Sequence, residues 1–265
     1  MSRNTINISF RSGMTNISDF FGCIDAGQPI GVVAGKLTTP QTVLSLPKYL
    51  NRGGKVFIDS GAFTTFRTKE PMDWRKVMGR YASIANLTDR PENLFVVSPD
   101  CVGDQAGTLA LIEAWRDQLV SLIDIGAKVI VPLQCGALPA QDMIDQVAGI
   151  LGTREWVAGI PSNKAAMTIE ECATLTHDQF HILGRVTFNE EQSLRIEALR
   201  RNTPDAFVSA DANWLRSHIS LVSRCISDIP PKKRFSDLRH PRSHAVTQAL
   251  QMDPNWGHGP AMSLL

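Results

Sequence analysis

Val56-Phe57-Ile58-Asp59-Ser60-Gly61-Ala62-Phe63 is the stretch that decides the fold of this sequence. A continuous apolar run ends in a carboxylate and then in a Ser-Gly turn, which is typical of a buried parallel strand that brings its last side chain to the carboxyl edge of a sheet. Both α/β barrels and open α/β sheets place their chemistry at that edge. Taken alone, Asp59 is equally well explained as the N-cap of a following helix.

Seven further runs of strand-forming residues accompany this one, and helical periodicity separates most of them. The eight predicted strands are Ile6–Phe10, Ile30–Ala34, Val56–Asp59, Leu94–Ser98, Lys128–Leu133, Glu155–Gly159, Phe180–Gly184 and Ala206–Ala210. Helices are predicted over Pro40–Leu50, Asp73–Leu87, Gln105–Ile125, Gln141–Leu151 and Asn213–Ile226, with two more after the capping-box spacings that begin at Thr168 and Asn189.

This alternation of strand and helix favours a parallel sheet, and eight strands favour its closure into a single-domain (β/α)8 TIM barrel of the α/β class. The weakest part of the pattern is Arg11–Gln28, which reads as a loop where a helix is expected. An open doubly wound sheet is the alternative architecture, although no GxGxxG motif follows any strand.

Composition narrows the class of protein. The chain has 265 residues, 43% of them apolar and 20% charged, which is the usage of a soluble enzyme with one large core. Its net charge of +1 gives no global attraction to nucleic acid, so such affinity would need a local patch. No apolar stretch approaches the roughly 20 residues of a membrane span and no signal-peptide core is evident, so we expect a cytoplasmic protein with no membrane partner. Its five cysteines and six histidines form no ligand spacing, so we expect no metal. No cofactor is expected either.

The composition shifts after Ile229, which divides the chain into a barrel at residues 1–229 and a C-terminal extension at residues 230–265. The extension is basic and Pro-rich, and we expect it to pack on the barrel. Such a run is most often solvated surface, and contact with a nucleic-acid backbone is the functional alternative. The residues that would hold phosphates are Arg216, Arg224, Lys232, Lys233, Arg234, Arg239 and Arg242.

Polar groups end four of the predicted strands: Asp59, Asp100, Gln134 and Asp211. In a barrel these ends face one common mouth, and close carboxylates repel one another, a cost tolerated mainly where a proton must be moved. Two carboxylates could act as a glycosidase pair, with one attacking the anomeric carbon while the other handles the proton. A further carboxylate and an amide would suit the hydrogen-bonding edge of a purine. Together they indicate exchange of a nucleobase.

Six short motifs in this order resemble those of the tRNA-guanine transglycosylase superfamily, whose barrel enzymes replace a guanine with a 7-deazaguanine by double displacement. They are Asp59-Ser60-Gly61-Ala62-Phe63, Asp100-Cys101, Leu133-Gln134-Cys135-Gly136, Val157-Ala158-Gly159-Ile160, His181-Ile182-Leu183-Gly184 and Ala210-Asp211.

The resemblance implies a role for each motif. Asp59 would be the general acid/base and Asp211 the nucleophile, whereas Asp100 and Gln134 would read the base. The base would stack between Phe63 and Leu183. The remaining implied substrate-binding residues are Ser60, Gly61, Gly159, Ile160 and Gly184, with the backbone of Gly159 and Ile160 touching the base.

Departures from the family narrow the expected substrate. The tRNA-acting members carry a Cys3His zinc subdomain, which nothing in this sequence can form, and Asp211 lacks the Pro-Thr-Arg loop that grips the anticodon in bacterial enzymes. A compact, zinc-free version resembles the deazaguanine DNA transglycosylases, so DNA and a 7-deazaguanine base are the expected partners, and a homodimer is a further expectation. The alternatives are a transglycosylase acting on tRNA, a non-catalytic nucleic-acid-binding partner subunit, and an unrelated barrel glycosidase that acts on small sugars.

Overall fold

Eight parallel strands form a closed barrel in the computed structural model, which describes residues 6–12, 17–162, 166–184, 190–212 and 246–247. The strands are β1 (Ile8–Arg11), β2 (Ile30–Val33), β3 (Val56–Asp59), β4 (Leu94–Val97), β5 (Lys128–Pro132), β6 (Val157–Pro161), β7 (Gln179–Leu183) and β8 (Phe207–Ala212). They follow one another around the barrel, and β8 closes it by pairing with β1. The predicted (β/α)8 barrel is confirmed, with strand ends that differ from the prediction by no more than two residues.

Helices surround the sheet in the order the sequence predicts. Those of the described residues are α1 (Ile17–Asp25), α2 (Pro40–Asn51), α3 (Ala62–Thr68), α4 (Trp74–Asn86), α5 (Gln105–Ala114), α6 (Arg116–Asp124), α7 (Ala140–Leu151), α8 (Ile169–Cys172) and α9 (Glu190–Leu199). The side chains of Thr39, Asp73 and Thr168 cap α2, α4 and α8, and Thr168 forms the predicted capping box with Glu171. Asn189, the cap predicted for α9, lies outside the described residues.

Three helical predictions need correction. Part of Arg11–Gln28 is not a loop, because α1 buries Phe20 and Cys23 against the barrel, and that burial outweighs its weak helix formers. The helix predicted over Gln105–Ile125 is two helices, since the backbone leaves helical geometry at Trp115. The short helix α3 is not among the predicted helices, although the alternative explanation of Asp59 as an N-cap allows for one.

The core has two layers. Inward side chains of the strands fill the barrel itself: Ile8, Phe10, Phe57, Phe95, Val97, Ile130 and Val157. The alternate, outward side chains, such as Val56, Ile58 and Ile160, pack against the helices in a larger cluster. Because the interior is filled with aromatic and aliphatic groups, the barrel is a solid support, and a ligand would have to bind outside it.

The C-terminal extension is described at two residues only. Val246 is fully buried in the outer core, and the hydroxyl of Thr247 donates to the carbonyl oxygen of Gly22 in α1 at 3.1 Å. The predicted helix Asn213–Ile226 and all seven predicted phosphate-binding residues lie outside the described part of the chain. No helix of the described residues is long and apolar enough to span a lipid bilayer.

Candidate active site

Two carboxylates reach the mouth because strand alternation directs them there. Phe57 points into the barrel, so Asp59, two residues later on β3, points inward as well. On β8 the same alternation applies to Ser209 and Asp211, both of which contact the inward His181 of β7. The carboxylates of Asp59 and Asp211 lie close enough that the second helps to raise the pKa of the first. The prediction that the third and eighth strands bring their acids to one mouth agrees with this geometry.

Asp59 is held by the turn that follows it. The N–H of Gly61 donates to its Oδ1 at 3.0 Å, and Gly61 adopts a φ of +90°, in the left-handed region that favours glycine. The Oγ of Ser60 accepts from the N–H of Ala62 at 3.2 Å, so this predicted binding residue supports the start of α3. The Asp-Ser-Gly sequence therefore builds a turn that fixes the direction of the Asp59 carboxylate.

Asp211 is surrounded by donors. Its Oδ1 accepts from the N–H of Gly184 at 2.9 Å, and its Oδ2 accepts from the hydroxyl of Ser12 at 3.1 Å. The Nε2 atom of His181 lies 3.5 Å from Oδ1. Gly184 has a φ of +94°, which turns its N–H toward the carboxylate. These contacts give Asp211 a fixed orientation at the end of β8.

Asp100 and Gln134 form one hydrogen-bonded unit beside Asp59. The Nε2 of Gln134 donates to Oδ2 of Asp100 at 3.0 Å, while its Oε1 accepts from the N–H of Gly103 at 2.9 Å. Both ends of the amide are thus fixed by protein partners. The other oxygen of Asp100, Oδ1, is buried and makes no hydrogen bond with the described residues. A buried acceptor of this kind is costly and is expected to meet a donor from a ligand.

Burial changes the protonation of this half of the mouth. It raises the pKa of Asp59 to about 6, against the opposing hydrogen bond from Gly61 and with a further rise from Asp211. It raises the pKa of Asp100 to about 7, where the Asp59 carboxylate adds to the rise and the Gln134 hydrogen bond opposes it. Burial also raises the pKa of Tyr81, with added contributions from Asp59 and Asp100, which places its ring near both acids. Two carboxyls of this cluster therefore titrate in the neutral range.

The remaining predicted residues lie at or just beyond the carboxyl ends of β3, β6 and β7. Phe63 is 60% exposed on α3, and Leu183 is half-buried at the end of β7. At Gly159 a Cβ atom would lie only 2.8 Å from Cδ1 of Leu183 and 3.0 Å from Cα of Pro132, so glycine permits the close packing there. The side chain of Ile160 points away into the outer core, so this residue could meet a ligand only through its backbone.

Three residues near the carboxylates were not predicted as part of the site: Ser12, Tyr81 and His181. His181 could have been found by alternation, since it lies two residues before Leu183 and so faces the same interior. Ser12 and Tyr81 could not, because their approach to the acids depends on how β1 and α4 pack against the rest of the barrel. Within the described residues no group of three or more His, Cys, Asp or Glu side chains could hold a metal ion.

Comparison with known proteins supports the fold and assigns no reaction. No protein-family model and no curated protein sequence matches this chain. Among solved structures, a candidate fructose-1,6-biphosphate aldolase from Coccidioides immitis is similar with a TM-score of 0.56 at 11% identity, over 95% of this chain and 90% of that one. KGPDC from Streptococcus mutans is similar with a TM-score of 0.45 at 10% identity, over 94% of this chain and 98% of that one. At such identities the likeness to the aldolase shows the barrel fold alone.

Proposed function

We propose that this protein exchanges a guanine base in DNA for a 7-deazaguanine, such as the 7-cyano form, through a covalent intermediate on Asp211. The main support is the presence of two unlike carboxylates at one barrel mouth. Asp211 accepts hydrogen bonds from Gly184 and Ser12, which orient it for attack. Burial raises the pKa of Asp59 to about 6, in the range where a side chain both gives and takes protons.

In the first half of the proposed reaction, a guanine leaves the base stack and enters the mouth. A carboxylate oxygen of Asp211 attacks C1′ of the deoxyribose, and the C1′–N9 bond breaks with its electron pair going to the guanine. Asp59 donates a proton to the departing base. In the second half, Asp59 takes the N9 proton of the incoming deazaguanine, and N9 displaces Asp211 from C1′. Two displacements at the same carbon retain its configuration.

Recognition of the base is assigned to the buried side of Asp100. Guanine presents two donors, N1–H and an N2 amino proton, on its Watson–Crick edge, and the buried Oδ1 of Asp100 lacks a donor among the described residues. Adenine presents an acceptor at N1 and only its N6 amino group as a donor on that edge, so it could not offer the adjacent pair of donors and would bind less well. The flat ring would lie between Phe63 and Leu183, and the basic residues at and beyond Arg216 would hold the DNA phosphates.

The test offers the purified protein DNA and tRNA separately, each with labelled 7-cyano-7-deazaguanine, and follows label in the polymer and nucleosides by mass spectrometry. Label in DNA that disappears with Asp211→Asn supports the proposal. Label in tRNA alone would move the substrate to RNA, and no label in either polymer from folded protein would reject base exchange. Hydrolysis of small glycosides without transfer would instead identify a sugar hydrolase.

A further inference from the structure

His181 lies under the Asp211 carboxylate, on the inward face of β7. Its side chain is fully buried, and its ring is stacked on Phe57 with a centroid distance of 4.7 Å and an interplanar angle of 15°. Phe10 lies against the same ring at 6.1 Å. These contacts fix the plane of the imidazole, and its Nε2 edge is directed at Oδ1 of Asp211, 3.5 Å away.

The other ring nitrogen indicates which tautomer is present. Nδ1 lies 2.8 Å from the hydroxyl oxygen of Ser209, whereas that hydroxyl lies 3.4 Å from the carbonyl oxygen of Phe180. The hydroxyl has one proton to donate. If it went to Phe180, Nδ1 would carry the imidazole proton, and a lone pair on Nε2 would face the Asp211 carboxylate oxygen 3.5 Å away, which is repulsive. Donation from Ser209 to Nδ1 avoids that repulsion. If Ser209 donates to Nδ1, the proton of a neutral imidazole lies on Nε2, where it faces the carboxylate.

We propose that His181 is the positioning residue of Asp211: a neutral imidazole, fixed by Ser209, whose Nε2–H holds Oδ1 of the carboxylate and leaves Oδ2 to attack the sugar. The inference rests on the function proposed above. In the structure Nε2 makes no hydrogen bond, and its distance of 3.5 Å from Oδ1 of Asp211 is at the outer limit for one. Catalytic hydrogen bonds are often long without substrate and shorten when it binds.

The two oxygens of Asp211 differ in a way that supports this division. Oδ1 has a fixed backbone donor, the N–H of Gly184, in addition to the imidazole. Oδ2 has the hydroxyl of Ser12, which can rotate away as C1′ approaches. The new bond therefore joins Oδ2 to C1′, and Oδ1 becomes the carbonyl oxygen of the ester. When N9 later displaces Asp211, the electron pair returns to the carboxylate, and the donors at Oδ1 stabilise that returning charge.

A purely structural role explains less of this arrangement. The stacking on Phe57 and Phe10 requires only a flat or bulky apolar group, as the neighbouring aromatic residues of the barrel interior supply. An imidazole instead buries two polar nitrogens, and a buried polar atom is costly unless it is used. Here one nitrogen is satisfied by Ser209, and the other is directed at a carboxylate.

Three substitutions separate packing from hydrogen bonding. Gln places an amide N–H near the position of the imidazole Nε2, Asn reaches only to the position of Nδ1, and Leu fills volume without a donor. We expect His181→Leu and His181→Asn to slow formation of the covalent Asp211–DNA adduct by about 100-fold in single-turnover experiments, with DNA affinity within about twofold of wild type. We expect His181→Gln to recover most of that loss. Ser12→Ala, which removes the donor at Oδ2, is expected to slow the step by less than about tenfold.

A second measurement is independent of activity. In protein labelled with ¹⁵N-histidine, the nitrogen shifts of His181 should report a neutral ring with its proton on Nε2, and Ser209→Ala, which removes the hydrogen bond at Nδ1, should shift the Nδ1 resonance. Asp211→Ala should shift the Nε2–H resonance of His181 but not that of His177, which bonds the carbonyl oxygen of Trp156 instead.

The outcomes distinguish the two proposals. Equal activity of the Gln and Asn variants, or an Nδ1–H ring in the wild type, would overturn the role of His181 even if base exchange is found. A wild-type protein that forms no adduct would reject base exchange, and the same absence of adduct would overturn the assignment of His181 to that reaction. In that case the resonance shifts would still show whether His181 holds the Asp211 carboxylate.

Discussion

Asp59 on β3 and Asp211 on β8 are each held by the backbone N–H of a glycine with positive φ, Gly61 at +90° and Gly184 at +94°. Beyond that shared device their surroundings differ. Asp59 and its neighbour Asp100 form a donor-poor half of the mouth, in which burial raises the pKa of both carboxyls toward neutrality. Asp211 belongs to a donor-rich half, with Ser12 and His181 also directed at it.

The difference teaches that position on the barrel does not assign a role to a carboxylate. Strand alternation alone brings both acids to the mouth. What separates a proton carrier from a nucleophile is the number of donors around it, because donors stabilise and orient the anion while burial without donors favours the neutral acid. Each prediction below tests this contrast.

The largest effect is expected from Asp211→Asn. Removing the nucleophile leaves no oxygen able to form the glycosyl ester, so base exchange should fall by about 10⁴-fold or more. Transfer of labelled deazaguanine measures exchange, and a shifted band on a denaturing gel measures the adduct. An Asn variant that still transfers label at the wild-type rate would show that the donor-rich half does not hold the nucleophile.

Asp59→Asn is expected to cost less, about 10³-fold in exchange, because it removes a proton donor and acceptor but leaves the attacking oxygen in place. A trace of covalent adduct should still form, which separates this variant from Asp211→Asn. Equal loss of both exchange and adduct in the two variants would mean that the halves of the mouth do not have separate roles.

The sequence predicts the barrel well because buried parallel strands are apolar runs with polar ends, as Val56–Asp59 shows. It fails at α3, where Ala62–Thr68 contains several threonines with low helix propensity and is helical because the Asp-Ser-Gly turn starts it. Each acid could be predicted as a strand end. The contact between Ser12 and Asp211 could not, since these residues are 199 apart in the sequence and meet only through the pairing of β1 with β8.

The third prediction concerns the free energy of unfolding at pH 8. Removing a charge should raise it in the donor-poor half, at Asp100, and lower it in the donor-rich half, at Asp211. Between pH 3.8, the ordinary pKa of an aspartate, and about 7, folded Asp100 binds more protons than the unfolded chain does. The contribution of Asp100 to the free energy of unfolding is therefore most favourable below pH 3.8 and is lost as the pH rises through 7. Asp100→Asn should raise the free energy of unfolding at pH 8 by about 2 to 3 kcal/mol and leave it nearly unchanged at pH 4.

Urea unfolding at pH 4 and pH 8 measures this effect, and Asp211→Asn is the matched control. That control removes the charged acceptor from several hydrogen bonds, so it should lower stability at pH 8 by about 1 kcal/mol. A loss of stability in Asp100→Asn at pH 8 would mean that the donor-poor half is not under electrostatic strain.

The smallest effect is expected from the two glycines that the halves share. An alanine at Gly61 or Gly184 must adopt a positive φ, and its Cβ would lie 3.1 Å from Cγ1 of Val33 or from Oγ of Ser162. Each variant should lose about 1 to 2 kcal/mol of stability. Gly53→Ala is the matched control, since Gly53 has a φ of +86° with open space around the added atom.

The activities of Gly61→Ala and Gly184→Ala then distinguish the two glycines, once the effect of backbone strain has been estimated from Gly53→Ala. Gly184→Ala displaces the N–H that holds Oδ1 of Asp211, so it should slow adduct formation directly. Gly61→Ala displaces the N–H that holds Asp59, so it should instead change the pH dependence of exchange, because that hydrogen bond lowers the pKa of Asp59 and its loss would move the pKa above about 6. Single-turnover rates between pH 5 and pH 8 measure both effects. Identical pH profiles in the two variants would mean that the glycines only shape the turns, and that the contrast between the halves arises entirely from their other neighbours.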